Sequence, residues 1–79
     1  MALRYNYDQA VDALYVALAE KPYAYGRDLD PERRIDYAAD GTPVGIEITC
    51  VMSGVHLDDL PDAKAVEQIL HDLGAPIVA

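Results

Sequence analysis

The chain has 79 residues, six Lys or Arg against fourteen Asp or Glu, a formal net charge of −8 and a single cysteine. A domain of this length buries only about 60% of the surface its unfolded chain exposes. One Cys excludes an intramolecular disulfide, and the acidic field repels phosphate backbones and anionic lipid surfaces. Composition therefore points to one marginally stable domain spanning 1–79, with oligomerisation as the available reinforcement and nucleic acid a disfavoured partner.

Leu3, Tyr5 and Tyr7 alternate with Arg4, Asn6 and Asp8, the period of a strand with one buried face. Asp8 and Asp12 bracket a short polar connection in which their side chains can hold backbone amides in Asx turns. Leu14, Val16 and Leu18 then alternate with Tyr15, Ala17 and Ala19. A helix from Asp12 to Glu20 competes because alanine favours it, but the β-branched and aromatic residues at the centre favour a strand. Lys21-Pro22 ends the element. Tyr23, Tyr25, Arg27 and Leu29 make a weaker strand that runs into a turn at Asp30-Pro31-Glu32. Ile35-Asp36-Tyr37 resumes an extended path. Asp40-Gly41 signals a hairpin with a type I′ turn, which Ala38 and Ala39 can lengthen. On the return, Val44, Ile46, Ile48 and Cys50 share one face, while Gly45, Glu47 and Thr49 share the other. Cys50 is accordingly expected as a small buried hydrophobe.

From Pro61 onward Ala63, Val66, Ile69, Leu70 and Leu73 recur at helical spacing, which predicts an amphipathic helix within 58–74. Asp58 or Asp59 would cap it, Pro61 would occupy its first turn, and Gly74 followed by Pro76 would stop it. The tail 75–79 can add an edge strand through Ile77-Val78-Ala79 or hang loose. With 3–52 as the sheet region, the expected fold is α+β. It is a single two-layer domain, an antiparallel β-sheet of about four strands in two hairpins with the C-terminal amphipathic helix packed on one face. The expected core is Leu14, Val16, Leu18, Ile35, Val44, Ile46, Ile48, Val66, Ile69, Leu70 and Leu73. Met1-Ala2-Leu3-Arg4-Tyr5 lacks the basic and apolar regions of a signal peptide, and the free thiol suits a reducing compartment, so a cytoplasmic protein without membrane contact is expected.

Two blocks carry a resemblance in their order and spacing. The first is Tyr7-Asp8-x-x-x-Asp12-Ala13-Leu14-Tyr15-Val16-x-Leu18, and the second is Ile35-Asp36-Tyr37-x-x-Asp40-Gly41-x-x-Val44-Gly45-Ile46-Glu47-Ile48. Over residues 3 to 50 the chain resembles the small bacterial family catalogued as domain of unknown function 2283. The resemblance implies a short bacterial protein without established catalytic residues and suggests an antitoxin-like role beside small toxin-like proteins. The chain departs from the family pattern around Asp30-Pro31-Glu32-Arg33-Arg34, where a glycine commonly follows the proline, and in its longer helical tail.

Chemistry-bearing residues are sparse. Asp8 and Asp12 could hold a cation or exchange protons, yet no third ligand or activated nucleophile stands beside them, so turn capping is the better reading. Asp28, Asp30 and Glu32 alternate like calcium-loop oxygens but lack that loop's glycine and terminal Glu. Glu67 and His71 have metal-like helical spacing, but two groups do not make a site. No catalytic residue, metal ligand or cofactor is assigned. All six aromatic residues are Tyr, whose apolar body and polar tip suit a half-exposed face or an interface. Tyr15 and Ala17, turned away from Leu14 and Val16, together with acidic Asp28, Asp30 and Glu32, form the candidate interaction surface. The expected function is a non-catalytic interaction module, dimeric, that binds a basic partner protein. The alternative is a small-molecule- or metal-binding enzyme with a site on the sheet or at a dimer interface, using Asp8, Asp12 or His56.

Overall fold

The computed structural model describes residues 3–78. Five strands, β1 (Arg4–Asp8), β2 (Ala13–Ala17), β3 (Tyr25–Asp30), β4 (Arg33–Tyr37) and β5 (Pro43–Thr49), are followed by a 3₁₀ turn at Val51–Ser53. After it come β6 (Val55–His56), α1 (Ala63–Leu73) and β7 (Ile77–Val78). The main sheet has the order β1-β2-β5-β4-β3 and is antiparallel throughout. A β1–β2 hairpin thus lies against a β3–β4–β5 meander, and the sequence-distant β2–β5 pair joins them.

The α+β architecture agrees with the sequence reading, and the sheet has one strand more than the two expected hairpins. The weak Tyr23–Leu29 segment becomes a full strand, Tyr25–Asp30, because β4 pairs with it from Tyr25 to Asp28 and again, past a register shift, at Asp30. Strong alternation produces the centre of the core: Leu14, Val16, Ile46 and Ile48 present no more than 1% of their surface. Val66, Ile69 and Leu70 of α1 belong to the same cluster, so the helix covers the face carried by the even residues of β2 and β5. Burying such side chains supplies about 1.5–3 kcal/mol each. Ile35 and Val44 are buried as expected, whereas Leu18 and Leu73 are only partly covered. Val51, Val55, Leu60 and Ala75 complete the cluster from the connections around the helix.

Four local expectations are corrected. Cys50 is exposed, with φ 53°, because β5 ends at Thr49 and the chain turns left-handed there before the 3₁₀ turn. The β4–β5 hairpin does not use a type I′ turn. Only Gly41 has positive φ, 85°, while Gly41 N–H donates to the Ala38 carbonyl and Ala38 N–H to that of Thr42. Ala38 and Ala39 lengthen the loop, so one left-handed residue suffices. The helix starts at Ala63, after Asp62 at φ 52° without a side-chain cap, rather than from Asp58 or Asp59. Pro61 therefore precedes the first helical turn instead of occupying it.

The C-terminal stop forms as expected. Gly74 at φ 72° donates to the His71 carbonyl and Ala75 to that of Leu70, the paired bonds of a Schellman end, with Ala75 buried behind them. Ile77–Val78 then pairs in parallel with Val55–His56 as a separate two-stranded sheet. The tail therefore pairs with a strand too short for any local pattern to announce. Ala79 lies outside the described residues.

Candidate functional site: the sheet face opposite the helix

Strand registers assemble the face that α1 leaves uncovered. One row across the sheet reads Asn6, Tyr15, Glu47, Arg34 and Asp28, and the next reads Arg4, Ala17, Gly45, Asp36 and Gly26. Tyr15, Ala17 and Asp28 of the candidate surface therefore share one face although β5 and β4 lie between β2 and β3 in the sheet.

Two glycines shape this face by omission. A Cβ on Gly45 would meet the Tyr15 ring and hydroxyl, and one on Gly26 would meet the Arg34 guanidinium. The two side chains lie flat over bare backbone. Tyr15 is 38% exposed. Its partial burial, then the charges of Asp36 and Glu47, push its phenol above the ordinary range. Arg34 donates to the Tyr23 hydroxyl at 3.0 Å and to Asp36 Oδ1 at 3.3 Å, and its Nη1 lies 3.9 Å from Asp28 Oδ1. The bond to Tyr23, with Asp36 behind it, raises the pKa of the guanidinium, so its charge is fixed.

Beside this row a cleft of about 110 Å³ is lined by Asp28, Asp30, Glu32, Glu47, Arg33, Arg34, Pro31 and Thr49. Four carboxylates against two guanidinium groups make it acidic, and it contains the three acidic residues singled out in the sequence. They are not equivalent. Asp28 and Glu32 are exposed. Asp30 Oδ2 accepts from Arg33 Nε at 2.8 Å and its Oδ1 from the Glu32 amide at 2.9 Å, which together hold its carboxyl below the usual range. Asp30 is thus a wall of the cleft.

Arg33 is the residue that sequence reasoning missed. It sits at a core-facing position of β4, opposite Ile48, and is only 8% exposed. Besides Asp30 it donates through Nη1 to the His56 carbonyl at 3.0 Å and to that of Asp58 at 2.6 Å. One side chain therefore ties the sheet to the connection leading into α1. Its parity with Ile35 was visible, but an arginine at a strand's start reads as solvated.

The other candidates are engaged separately. Asp8 Oδ1 accepts from the Ala10 amide at 3.0 Å, the expected Asx turn. Asp12, at φ 55°, accepts from the Tyr7 hydroxyl at 2.7 Å and from the Met52 amide at 3.1 and 3.2 Å. It braces the β1–β2 turn against the 3₁₀ turn, and its bond raises the Tyr7 phenol pKa. His56 is exposed in β6. Among the described residues no three His, Cys, Asp or Glu side chains are gathered as a metal would require. Cys50 stands beside Glu32, whose carboxylate raises the thiol pKa. No helix among the described residues is long and apolar enough to cross a membrane.

A family model described as Protein of unknown function (DUF2283) matches residues 4–50. Comparisons with curated proteins and with solved structures find no match.

Proposed function

Because the chain belongs to the DUF2283 family of proteins of unknown function, we propose from its surface that it is a non-catalytic protein-interaction module. In this reading it is a cytoplasmic bacterial protein, dimeric, that binds and neutralises a basic partner in the manner of an antitoxin. The observation that carries the reading is the acidic cleft running into the uncovered Tyr15 row. A flat, half-buried tyrosine supplies apolar contact area at low conformational cost, and adjoining carboxylates accept Lys or Arg side chains.

Asp28, Glu32 and Glu47 would receive those cations. Asp28 is held by Arg34 only loosely, at 3.9 Å, so an incoming guanidinium can displace that contact at little cost. The net charge of −8 adds long-range steering toward a basic surface. The test is affinity capture of the tagged protein from its native cells at low and high salt. One basic protein released as salt rises supports the reading, and recovery of the chain alone at both salts counts against it.

A further inference from the structure

We infer that the dimer is built by β1, paired antiparallel with β1 of a second copy in a two-fold register centred on Asn6, so that two sheets become one. The inference rests on the self-association proposed above and supplies its surface.

β1 and β3 are the outer strands of the sheet. Leu18 N–H donates to the Val44 carbonyl at 2.9 Å. Antiparallel ladders alternate, so Leu14, Val16 and Leu18 exchange bonds with β5, while Ala13, Tyr15 and Ala17 turn theirs toward β1. Their opposite numbers are Asp8, Asn6 and Arg4. The amides and carbonyls of Tyr5 and Tyr7 consequently point outward along the sheet edge, where an added strand would take them.

A two-fold axis normal to a sheet sets a residue opposite its own copy and reverses the order on either side. Centred on Asn6, it places Tyr5 opposite Tyr7 of the second copy, so the outward backbone groups meet in a hydrogen-bonded pair. It also places Arg4 opposite Asp8 of the second copy, twice. In the segment Arg-Tyr-Asn-Tyr-Asp the central Tyr-Asn-Tyr reads the same in both directions and the ends carry opposite charge, which is what this symmetry needs. Centres on Tyr5 or Tyr7 lose the pairing, because Arg4 or Asp8 then faces Asn6.

The side chains are placed for this arrangement. Tyr5 is 44% exposed at the edge, on the helix side of the sheet, and a Tyr7 ring from the second copy would cover it. Arg4 meets Glu20 at 3.1 Å, with side-chain exposures of 80% and 88%. So exposed a pair is weak, and the guanidinium can bridge to a second carboxylate. The opposite edge is unsuited: β3 carries a register shift between Asp28 and Asp30, and centring on Arg27 or Asp28 sets like charges together.

The test is sedimentation equilibrium of the full chain, with far-UV circular dichroism as the check on folding. Arg4→Asp and Asp8→Arg should each weaken dimerisation roughly tenfold or more, since symmetry applies each repulsion twice. An equimolar mixture of the two variants should form a heterodimer. In it the carboxylate introduced at position 4 of one chain faces the guanidinium introduced at position 8 of the other, and the unaltered Asp8 faces the unaltered Arg4. A merely structural role would not produce this rescue. A monomeric wild-type chain would overturn the inference and the self-association together. A dimeric wild type with equally dimeric single variants would overturn this surface alone. Monomeric variants that the mixture fails to restore would overturn the register.

Discussion

At the scale of single residues, position within the sheet decides chemistry more than residue type does. Cys50 stands next to an apolar run and shares parity with Ile48, yet it is exposed because the strand stops one residue earlier and the backbone turns left-handed. Parity extrapolated past a strand's end says nothing about burial. The thiol is nevertheless held back from ionising, chiefly by the Glu32 carboxylate, then by partial desolvation and by Asp12. Alkylation at neutral pH, followed by mass, should therefore be slower than for an unstructured cysteine peptide. Glu32→Gln should speed it by lowering the thiol pKa. An unchanged rate in that variant would remove Glu32 as the cause.

Tyr15 shows the opposite case. Its outward direction was legible from alternation alone, but its flat pose was not, because that depends on Gly45 in a strand distant in sequence. Gly45→Ala should lift the ring off the sheet, reduce its burial and bring its raised phenol pKa back toward the ordinary value near 10. Spectrophotometric titration resolved by comparison with Tyr15→Phe reads this directly, and a pKa still raised in Gly45→Ala would contradict the packing described.

At the scale of elements, the strands and the helix were legible wherever periodicity was sustained, as in Leu14–Leu18, Val44–Ile48 and Ala63–Leu73. What stayed hidden was supplied by partners distant in sequence. β6 and β7 have two residues each and form only because Val55 and Ile77 are brought together. The start of α1 follows the left-handed Asp62, although Asp58 and Asp59 offered stronger capping signals. Arg33 explains part of this, because its bonds to the His56 and Asp58 carbonyls fix the approach to the helix. Arg33→Leu should cost about 2 kcal/mol in urea unfolding, the scale of charge-assisted hydrogen bonds lost from a largely buried site.

The same clamp sets an acid dependence. The Asp30 pKa is lowered in the folded state, first by Arg33 and then by the Glu32 amide. Its contribution is thus fully present above the unfolded carboxylate range, near pH 4, and is lost as pH falls below it toward the folded value. Asp40, lowered by Lys21 and by Thr42, acts in the same direction. Urea midpoints should therefore fall below about pH 4. In Arg33→Leu the drop should be shallower, and an identical pH profile would detach the clamp from acid stability.

At the scale of the whole molecule, one asymmetry organises the fold. Helix α1 covers one face of a five-stranded sheet, and the other face carries tyrosine, paired charges and an acidic cleft. The sequence made the two-layer architecture readable and placed Tyr15 and Ala17 on the outer face. It did not reveal that Asp28 and Glu47 lie in the same row, nor that Asp30 is committed to Arg33. Those facts need the β2–β5 and β4–β5 registers, which no local pattern encodes. Parallel affinity capture with the wild-type chain and the Asp28→Lys/Glu47→Lys variant, altered at two exposed positions outside the clamp, tests the helix-free face as a binding surface. A basic protein retained by the wild type at low salt should be lost from the variant while the variant's melting curve stays close to wild type. Equal retention by both chains would contradict the assignment of the helix-free face as the binding surface.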